Sequence, residues 1–497
     1  MTQHDQTGTD ASERQWKTLD QDLNRLSRLE AATMYTSRSL VGIGVSLAFV
    51  TLAALSAALL VGQEPQGLVV AVAAAFGAYM ALNIGANDVA NNMGPAVGAR
   101  ALSMLGAIAI AAICETAGAL LAGGDVVSTI SKGIVDPAGL SDVRVFVWAM
   151  LAALLSASIW VNLATVIGAP VSTTHSVVGG VMGAGIAAAG LGSVSWPTMG
   201  AIAASWVISP LLGGVFAAAM LAFIKWKVIY VEDKIAAART WVPVLIGFMA
   251  GAFATYLSLK GLGKVIDIDM AHALLIGIAA GVVVGFVSVP LVKRQSEGLE
   301  NRNRSLKVLF RLPLVVSAAL LSFAHGANDV ANAVGPLAAV VYAQQSAGVA
   351  GEVSIPLWVM VIGALGISFG LILFGPKLIG MVGNQITKLN PMRAYCVALS
   401  AAITVIAASW LGLPVSSTHI AVGGIFGVGF FREWYMERNR PGRVKGAARP
   451  LASRERRRRK LVRRSHFMTI VAAWVITVPA AAMLSALCFW ALRAMGV

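Results

Sequence analysis

Long apolar segments are the feature that most constrains the fold of this chain. A helix needs about 20 apolar residues to cross the hydrocarbon core of a bilayer. Hydrophobic residues make up 57% of the 497 residues and charged residues 12%, which leaves too little polar surface for a water-soluble globule. The sequence therefore predicts an all-α polytopic membrane protein. The predicted spans are 41–61, 67–85, 101–122, 145–167, 198–224, 242–259, 271–292, 312–324, 355–381, 392–411 and 467–492.

Two further apolar segments, 171–191 and 415–431, are rich in glycine and begin with hydroxyl residues. Each follows closely on a full span, so each is predicted to form a half-span that returns within the membrane as a re-entrant hairpin. The expected fold has about 11 to 12 spans plus these half-spans.

Basic segments indicate how the chain is oriented. The stretches 225–239, 293–311 and 432–464 are rich in Lys and Arg, and the positive-inside rule places all three in the cytoplasm. The net charge of +15 is concentrated there, so we interpret it as an orientation signal and expect no nucleic-acid partner. Threading the spans puts the N-terminus in the cytoplasm and the C-terminus outside. The first 40 residues are polar, so we expect no cleavable signal, and we expect a location in the plasma membrane (a bacterial inner membrane).

Two motifs occur twice in the same order. Residues 85–95 read GANDVANNMGP and residues 326–336 read GANDVANAVGP, while GAPVSTTH at 168–175 returns as GLPVSSTH at 412–419. The threading gives the two copies opposite orientations, which predicts two inverted-topology repeats. The copies differ at Asn92-Met93 against Ala333-Val334.

The predicted organisation follows from these repeats. It consists of a polar cytoplasmic N-terminus (1–40), an extra transmembrane helix (41–62), a first repeat (67–224), connecting helices and loops (225–311), a second repeat (312–431), a basic cytoplasmic loop (432–466) and a C-terminal transmembrane helix (467–497).

The GANDVAN segments place polar groups where lipid is expected. Their Gly and Pro residues predict broken helices, which are tolerated in a membrane only where the open backbone lines a cavity. Asn and Asp oxygens suit a small cation, and the carboxylates also suit a proton. A structural kink is the alternative, but a kink needs no costly intramembrane carboxylate. The coupling-ion candidates are Asn87, Asp88, Asn91, Asn328, Asp329 and Asn332.

The two PVS[ST]TH segments predict a different chemistry. A Pro before a run of hydroxyls predicts a helix start, where free amides and the positive end of the helix dipole attract anions. A single hydroxyl would more simply bond its own helix, but the duplicated set favours a site for a tetrahedral oxyanion. The candidates are Ser172, Thr173, Thr174, Ser416, Ser417 and Thr418, and His175 and His419 follow as further candidates for ligands or proton carriers.

These repeated motifs, with the stretches CETAG at 114–118 and SKGIVDP at 131–137, resemble the inorganic phosphate transporter (PiT) family of secondary carriers from about residue 67 onward. The resemblance implies that phosphate binds between the hairpin tips and is coupled to sodium or protons, with no other cofactor, and it gives Glu115 a functional role. No acidic residue of the second half matches Glu115. The family often has a Glu in the helix that leads into the second hairpin, and the matching stretch here, 395–400, has no carboxylate. The coupling ion, its stoichiometry and the involvement of a metal stay open.

Several alternatives stay open at this point. A sulfate or other oxyanion permease is the main rival, although sulfate only accepts hydrogen bonds and is therefore repelled by Asp88 and Asp329. An oxyanion channel would not need inverted repeats, which are typical of alternating access. A membrane enzyme would need a nucleophile with its base or a metal cluster, and neither is visible. The expected partners are phosphate, a coupling cation and lipids, and a homodimer is a further candidate.

Overall fold

The computed structural model describes residues 40–61, 65–135, 142–167, 171–261, 266, 268–345, 355–385, 389–438 and 464–495. The predicted polar N-terminus up to residue 39, most of the basic loop and residues 168–170 of the GAPVSTTH segment lie outside these residues. The chain divides into two compact units, residues 1–49 and 50–497. Except for residues 40–49, the beginning of the first helix, the features described below belong to the second unit.

Helices account for nearly all of the described residues. They are α1 (40–61), α2 (Pro65–Gly98), α3 (Met104–Ala122), α4 (Gly124–Ser128), α5 (Val143–Ile167), α6 (Thr173–Ala189), α7 (Trp196–Ile224), α8 (Lys234–Lys260), α9 (Met270–Gln295), α10 (Asn303–Leu309), α11 (Arg311–Gln345), α12 (Leu357–Gln385), α13 (Pro391–Trp410), α14 (Ser417–Arg438) and α15 (Arg464–Ala494). Short π-helical turns extend α4 over Thr129–Gly133 and α7 over Lys225–Ile229.

The number and type of the helices confirm the predicted fold class. Eleven helices in the described part of the chain are long and apolar enough to cross a membrane. The segments α6 and α14 are not among them, and each begins a few residues after a full span: α5 ends at Ile167 and α13 at Trp410. The chain is therefore an all-α polytopic membrane protein.

The prediction of helix breaks at the two GANDVAN segments is wrong. Helix α2 continues through the first segment for 34 residues and α11 continues through the second for 35, so the predicted spans 67–85 and 312–324 ended too early. The motif glycines allow close helix contact instead. A Cβ at Gly85 would overlap the carbonyl oxygen of Ile367 on α12, and a Cβ at Gly326 would overlap that of Glu115 on α3. The site is therefore built from side chains on continuous helices rather than from open backbone.

Helix packing relates the two halves of the chain in matching pairs. The first GANDVAN helix, α2, packs on α12, and the second, α11, packs on α3. The hairpin helix α6 packs on α15, and the hairpin helix α14 packs on α7. Each repeated segment thus lies against an element from the other half or from the C-terminus.

Burial agrees with this arrangement. In the most apolar window of α11, 83% of the residues are buried inside the protein, whereas the corresponding share for α9 is 17%. Helix α9 therefore lies at the periphery, where its large apolar side chains are available to lipid, and α11 forms part of the core that carries the repeated polar groups.

Candidate functional site

The two hairpin helices begin with a serine cap. Ser172 Oγ accepts a hydrogen bond from the backbone N–H of His175 at 3.1 Å, and Ser416 Oγ accepts one from His419 N–H at 3.3 Å. Both serines are buried. The hydroxyl oxygens of both serines therefore accept hydrogen bonds from the first turn of the following helix, as expected of N-cap residues.

The residues that follow these caps bond to the GANDVAN carboxylates. Thr173 Oγ1 donates to Asp88 Oδ2 at 2.9 Å, and Ser417 Oγ donates to Asp329 Oδ2 at 3.0 Å. Asp88 and Asp329 are each 1% exposed. The first hydroxyl of each hairpin helix thus contacts the carboxylate of its own half.

The second hydroxyl of each hairpin helix makes contacts with the opposite half. Asn91 Nδ2 donates to Thr418 Oγ1 at 2.8 Å, and Asn332 Nδ2 donates to Thr174 Oγ1 at 3.2 Å. Thr418 Oγ1 in turn donates to Asp88 Oδ1 at 3.1 Å. Asp88 therefore accepts hydrogen bonds from both hairpin helices, and residues predicted to bind the ion are in direct contact with residues predicted to bind the oxyanion.

His325 lies at the centre of this network. Its Nε2 atom is 2.8 Å from Asp329 Oδ2 and 3.8 Å from Asp88 Oδ2, while its Nδ1 atom is 3.3 Å from Glu115 Oε2. The side chains of His325 and Glu115 are fully buried. One imidazole thus lies between three carboxylates from three helices, α2, α3 and α11.

Asn92 completes the environment of Glu115. Its Nδ2 atom donates to Glu115 Oε1 at 3.0 Å. At the matching position of the second copy the chain has Ala333, and no acidic residue matches Glu115 there. The difference between Asn92 and Ala333 therefore has a physical reason, because the amide is present in the half that contains the carboxylate.

Two of the predicted asparagines have other surroundings. Asn328 Nδ2 donates to Ser409 Oγ at 2.9 Å and to the carbonyl of Leu413 at 3.3 Å, and its Oδ1 accepts from the backbone N–H of Val415 at 3.3 Å. Asn328 thereby fixes the connection that leads into α14. Asn87 is buried, and its Nδ2 atom has no hydrogen-bond partner among the described residues.

The two predicted histidines lie together behind the hairpin starts. The ring centroids of His175 and His419 are 4.5 Å apart, and the indole of Trp206 is 3.8 Å from His175 between centroids. Trp206 Nε1 donates to the carbonyl of Pro414 at 3.0 Å. The histidines thus form a packed aromatic group with Trp206, directly after the serine caps of the hairpin helices.

Three buried side chains could together hold a cation. Asp88, His325 and Asp329 each offer one ligand atom, and these atoms lie within 4.8 Å of one another. Carboxylate oxygens suit hard cations such as sodium, and the imidazole nitrogen suits a proton or a transition metal. The donor set thus fits a cation or a proton.

His325 and Asn92 are the functional candidates that the sequence reasoning missed. His325 immediately precedes the second GANDVAN, where the first copy has the apolar Ile84. The sequence signal that could have identified His325 was this contrast, a histidine in one copy where the other copy has an apolar residue. For Asn92, the signal was its difference from Ala333.

Together, the fold and this network define a polytopic membrane protein with a buried, doubled polar site of carboxylates, amides and hydroxyls. A model of the Phosphate transporter family matches residues 84–485 of the chain. The chain belongs to this family, which confirms the family resemblance and the prediction that the protein is a transporter and not an enzyme.

Individual relatives agree with this assignment. A Helicobacter pylori protein named "Putative phosphate permease" is 44% identical over 95% of this chain and 98% of its own length. The "Inorganic phosphate transporter 2-1, chloroplastic" of Arabidopsis thaliana is 36% identical over 84% of this chain and 70% of its own. A solved structure named "The sodium-dependent phosphate transporter" is similar with a TM-score of 0.76 and 35% identity, covering 86% of this chain and 99% of the other.

Proposed function

We propose that this protein is a symporter that imports inorganic phosphate together with sodium by alternating access. The observation that carries the proposal is the connection of Asp88 to both hairpin helices, through Thr173 and Thr418. Groups suited to a cation and groups suited to an oxyanion are in direct contact, so occupancy of one set changes the surroundings of the other.

The charges of the site give a reason for coupling. Asp88, Asp329 and Glu115 face a single His325, so with all four groups ionised the buried cluster has an excess of negative charge. Uncompensated buried charge is costly, and an incoming phosphate would add to it. Cations at Asp88 and Asp329 would neutralise the excess and make the hairpin hydroxyls available to the anion.

The doubled contacts support a mechanism in which two similar halves move about a central site. The contacts from Asn91 to Thr418 and from Asn332 to Thr174 cross between the halves. A movement of one half against the other would break these bonds and expose the hydroxyls, as alternating access requires. We propose that the two halves are inverted repeats, with the N-terminus in the cytoplasm, the C-terminus outside and the protein in a bacterial inner membrane.

Two considerations favour the proposed substrates. Sodium is named in the description of the similar solved structure, and carboxylate and amide oxygens are suitable ligands for it. Phosphate at neutral pH retains a proton that it can donate to a carboxylate, whereas sulfate only accepts hydrogen bonds. Asp88 and Asp329 beside the hairpin starts therefore favour phosphate over sulfate.

Uptake of radiolabelled phosphate into proteoliposomes tests the proposal. An inward sodium gradient and an inward proton gradient are applied separately, and unlabelled sulfate is added as a competitor. We expect uptake with the sodium gradient alone and little competition by sulfate. Uptake with the proton gradient alone would reject sodium as the coupling ion, and sulfate transport without phosphate transport would reject the substrate.

Substitutions of the two carboxylates test the assignment of the ion site. Asp88→Asn and Asp329→Asn each remove one ionisable group at nearly constant volume, so we expect folded protein that lacks sodium-coupled uptake. Asp269→Asn is the matched control, because this exposed residue caps α9 through His272 N–H and Asn is an equally good cap. Normal sodium dependence in either site variant would contradict the assignment.

A further inference from the structure

A second group of charged residues lies at the opposite end of the hairpin helix α14 from the site. Lys225 begins the π-helical turn after α7, Arg393 lies in the first turn of α13, and Arg432 lies near the end of α14. Helices α7, α13 and α14 pack on one another, and Arg393 and Arg432 are close enough to repel Lys225 electrostatically. We call these three residues the basic cluster.

Lys225 is unusual for a lysine because it is buried. The residue is 8% exposed, and its Nζ atom lies 4.2 Å from the ring centroid of Tyr435 and 5.1 Å from that of Phe431. Tyr435 is stacked on Tyr230, with ring centroids 5.5 Å apart. The rings hold the ammonium group by cation–π attraction and shield it from water.

The basic cluster has no anionic partner among the residues that the structure describes. Within the described ranges, no carboxylate forms an ion pair with Lys225, Arg393 or Arg432. Glu433 is the neighbouring acidic residue, and its buried Oε1 atom makes no hydrogen bond to any described residue. In the described part of the chain, the three basic side chains of these packed helices therefore lack an ion-pair partner.

Arg393 supplies an unused donor. Its Nε atom donates to Asn390 Oδ1 at 3.1 Å, but its Nη1 atom is buried and has no hydrogen-bond partner among the described residues. Since a buried donor without a partner is costly, this atom indicates that a group other than the described residues binds here.

An orientation signal alone does not explain these features. The positive-inside rule requires positive charge near the membrane surface, and exposed side chains satisfy it. It requires neither the burial of Lys225 nor the placement of two arginines beside it. A bound anion explains both, because it would compensate the three charges and accept a hydrogen bond from Arg393.

We propose that the basic cluster is a second oxyanion site, distinct from the hairpin site, that binds a phosphate group. Guanidinium groups match phosphate oxygens in a bidentate geometry, and the lysine adds a compact point charge. The phosphate group is supplied either by the headgroup of an anionic phospholipid or by inorganic phosphate, because the cluster lies at the membrane end predicted to face the cytoplasm.

The test uses the purified full-length protein in a neutral detergent. Thermal unfolding is followed with increasing inorganic phosphate, with short-chain phosphatidylglycerol and with short-chain phosphatidylcholine as the zwitterionic control, and an apparent Kd is derived from each shift. The variants are Lys225→Gln, Arg393→Gln and Arg432→Gln. Lys227→Gln is the matched control, because Lys227 also lies over aromatic rings, those of Trp226 and Trp241.

We expect each of the three variants to weaken binding of the active probe at least about tenfold, as for loss of one charge-assisted contact, and Lys227→Gln to leave it unchanged. A response to phosphatidylglycerol alone identifies a lipid headgroup, and a response to phosphate alone identifies the free anion. Should neither probe stabilise the protein, or should all three variants bind as the unmodified chain does, the proposal is overturned. Arg432 is only partly buried, so Arg432→Gln carries the test if another variant does not fold.

The same titrations are made on the double variant Thr173→Val/Ser417→Ala. A phosphate response from the hairpin site is reduced in this protein and is insensitive to Lys225→Gln. A phosphate response from the basic cluster is reduced by Lys225→Gln and is unchanged in the double variant. The test of the second oxyanion site is therefore independent of whether the proposed function holds.

Discussion

Nδ1 of His325 lies 3.3 Å from Oε2 of Glu115. The second GANDVAN helix therefore contacts a carboxylate of the first half, and the second half has no acidic residue that matches it. Glu115 is on α3 and His325 on α11, and these helices pack closely because Gly326 has no side chain. The contact makes the doubled site asymmetric. A histidine of the second half and a carboxylate of the first act as a pair.

We expect His325→Gln to abolish coupled uptake and to destabilise the protein by about 3 kcal/mol, because removing one partner of a buried ion pair leaves the others uncompensated. Thermal unfolding and proteoliposome uptake measure the two effects. His272→Gln is the control, since this histidine is exposed at the start of α9. Uptake and stability equal to those of the control would show that His325 has no role in the network.

Asn92→Ala makes the first motif copy resemble the second. The substitution removes the donor to Glu115 Oε1, and we expect weaker sodium dependence of uptake. In a double-mutant cycle with Glu115→Gln, the two effects should be non-additive by about 0.5–3 kcal/mol, as for residues in direct contact. Additive effects on the apparent sodium affinity would argue against a functional pair.

Thr173→Val and Ser417→Ala each remove a hydroxyl that bonds to a GANDVAN carboxylate. Loss of one such donor costs about 1–3 kcal/mol, so we expect the apparent affinity for phosphate to fall by about 5-fold to 100-fold, with a smaller change in the sodium dependence. Uptake kinetics at saturating sodium measure this. Ser176→Ala is the control, because Ser176 Oγ donates only to the carbonyl of Ser172 in the same helix. An unchanged phosphate affinity would count against the oxyanion assignment.

Gly326→Ala introduces a methyl group where the backbone of Glu115 already lies. We expect a loss of stability of about 1–3 kcal/mol from overpacking, together with reduced uptake, because Glu115 must move away from His325. Gly200→Ala is the matched control: an added Cβ there meets no atom within 4 Å, and Ala favours the helix. The prediction fails if Gly326→Ala is as stable and active as Gly200→Ala.

The sequence determined the class of fold and much of the site. Span length and apolarity are local properties, so the eleven membrane helices could be predicted from composition and length alone. The repeated motifs indicated Asp88 and Asp329, because a carboxylate in an apolar segment is conspicuous without any structure. Their closeness to Thr173 and Ser417 agrees with the expectation that the two motifs form one site.

Only the tertiary structure decided how these residues are connected. Whether a glycine breaks a helix or permits close packing depends on the neighbouring helix, and at Gly85 and Gly326 the neighbours are α12 and α3. The position of His325 between Glu115 and Asp329 likewise depends on how α3 packs against α11. Asn91 and Thr418 are 327 positions apart in the sequence, yet their side chains form a hydrogen bond. They meet only through packing of the whole bundle, and no local sequence pattern specifies this contact.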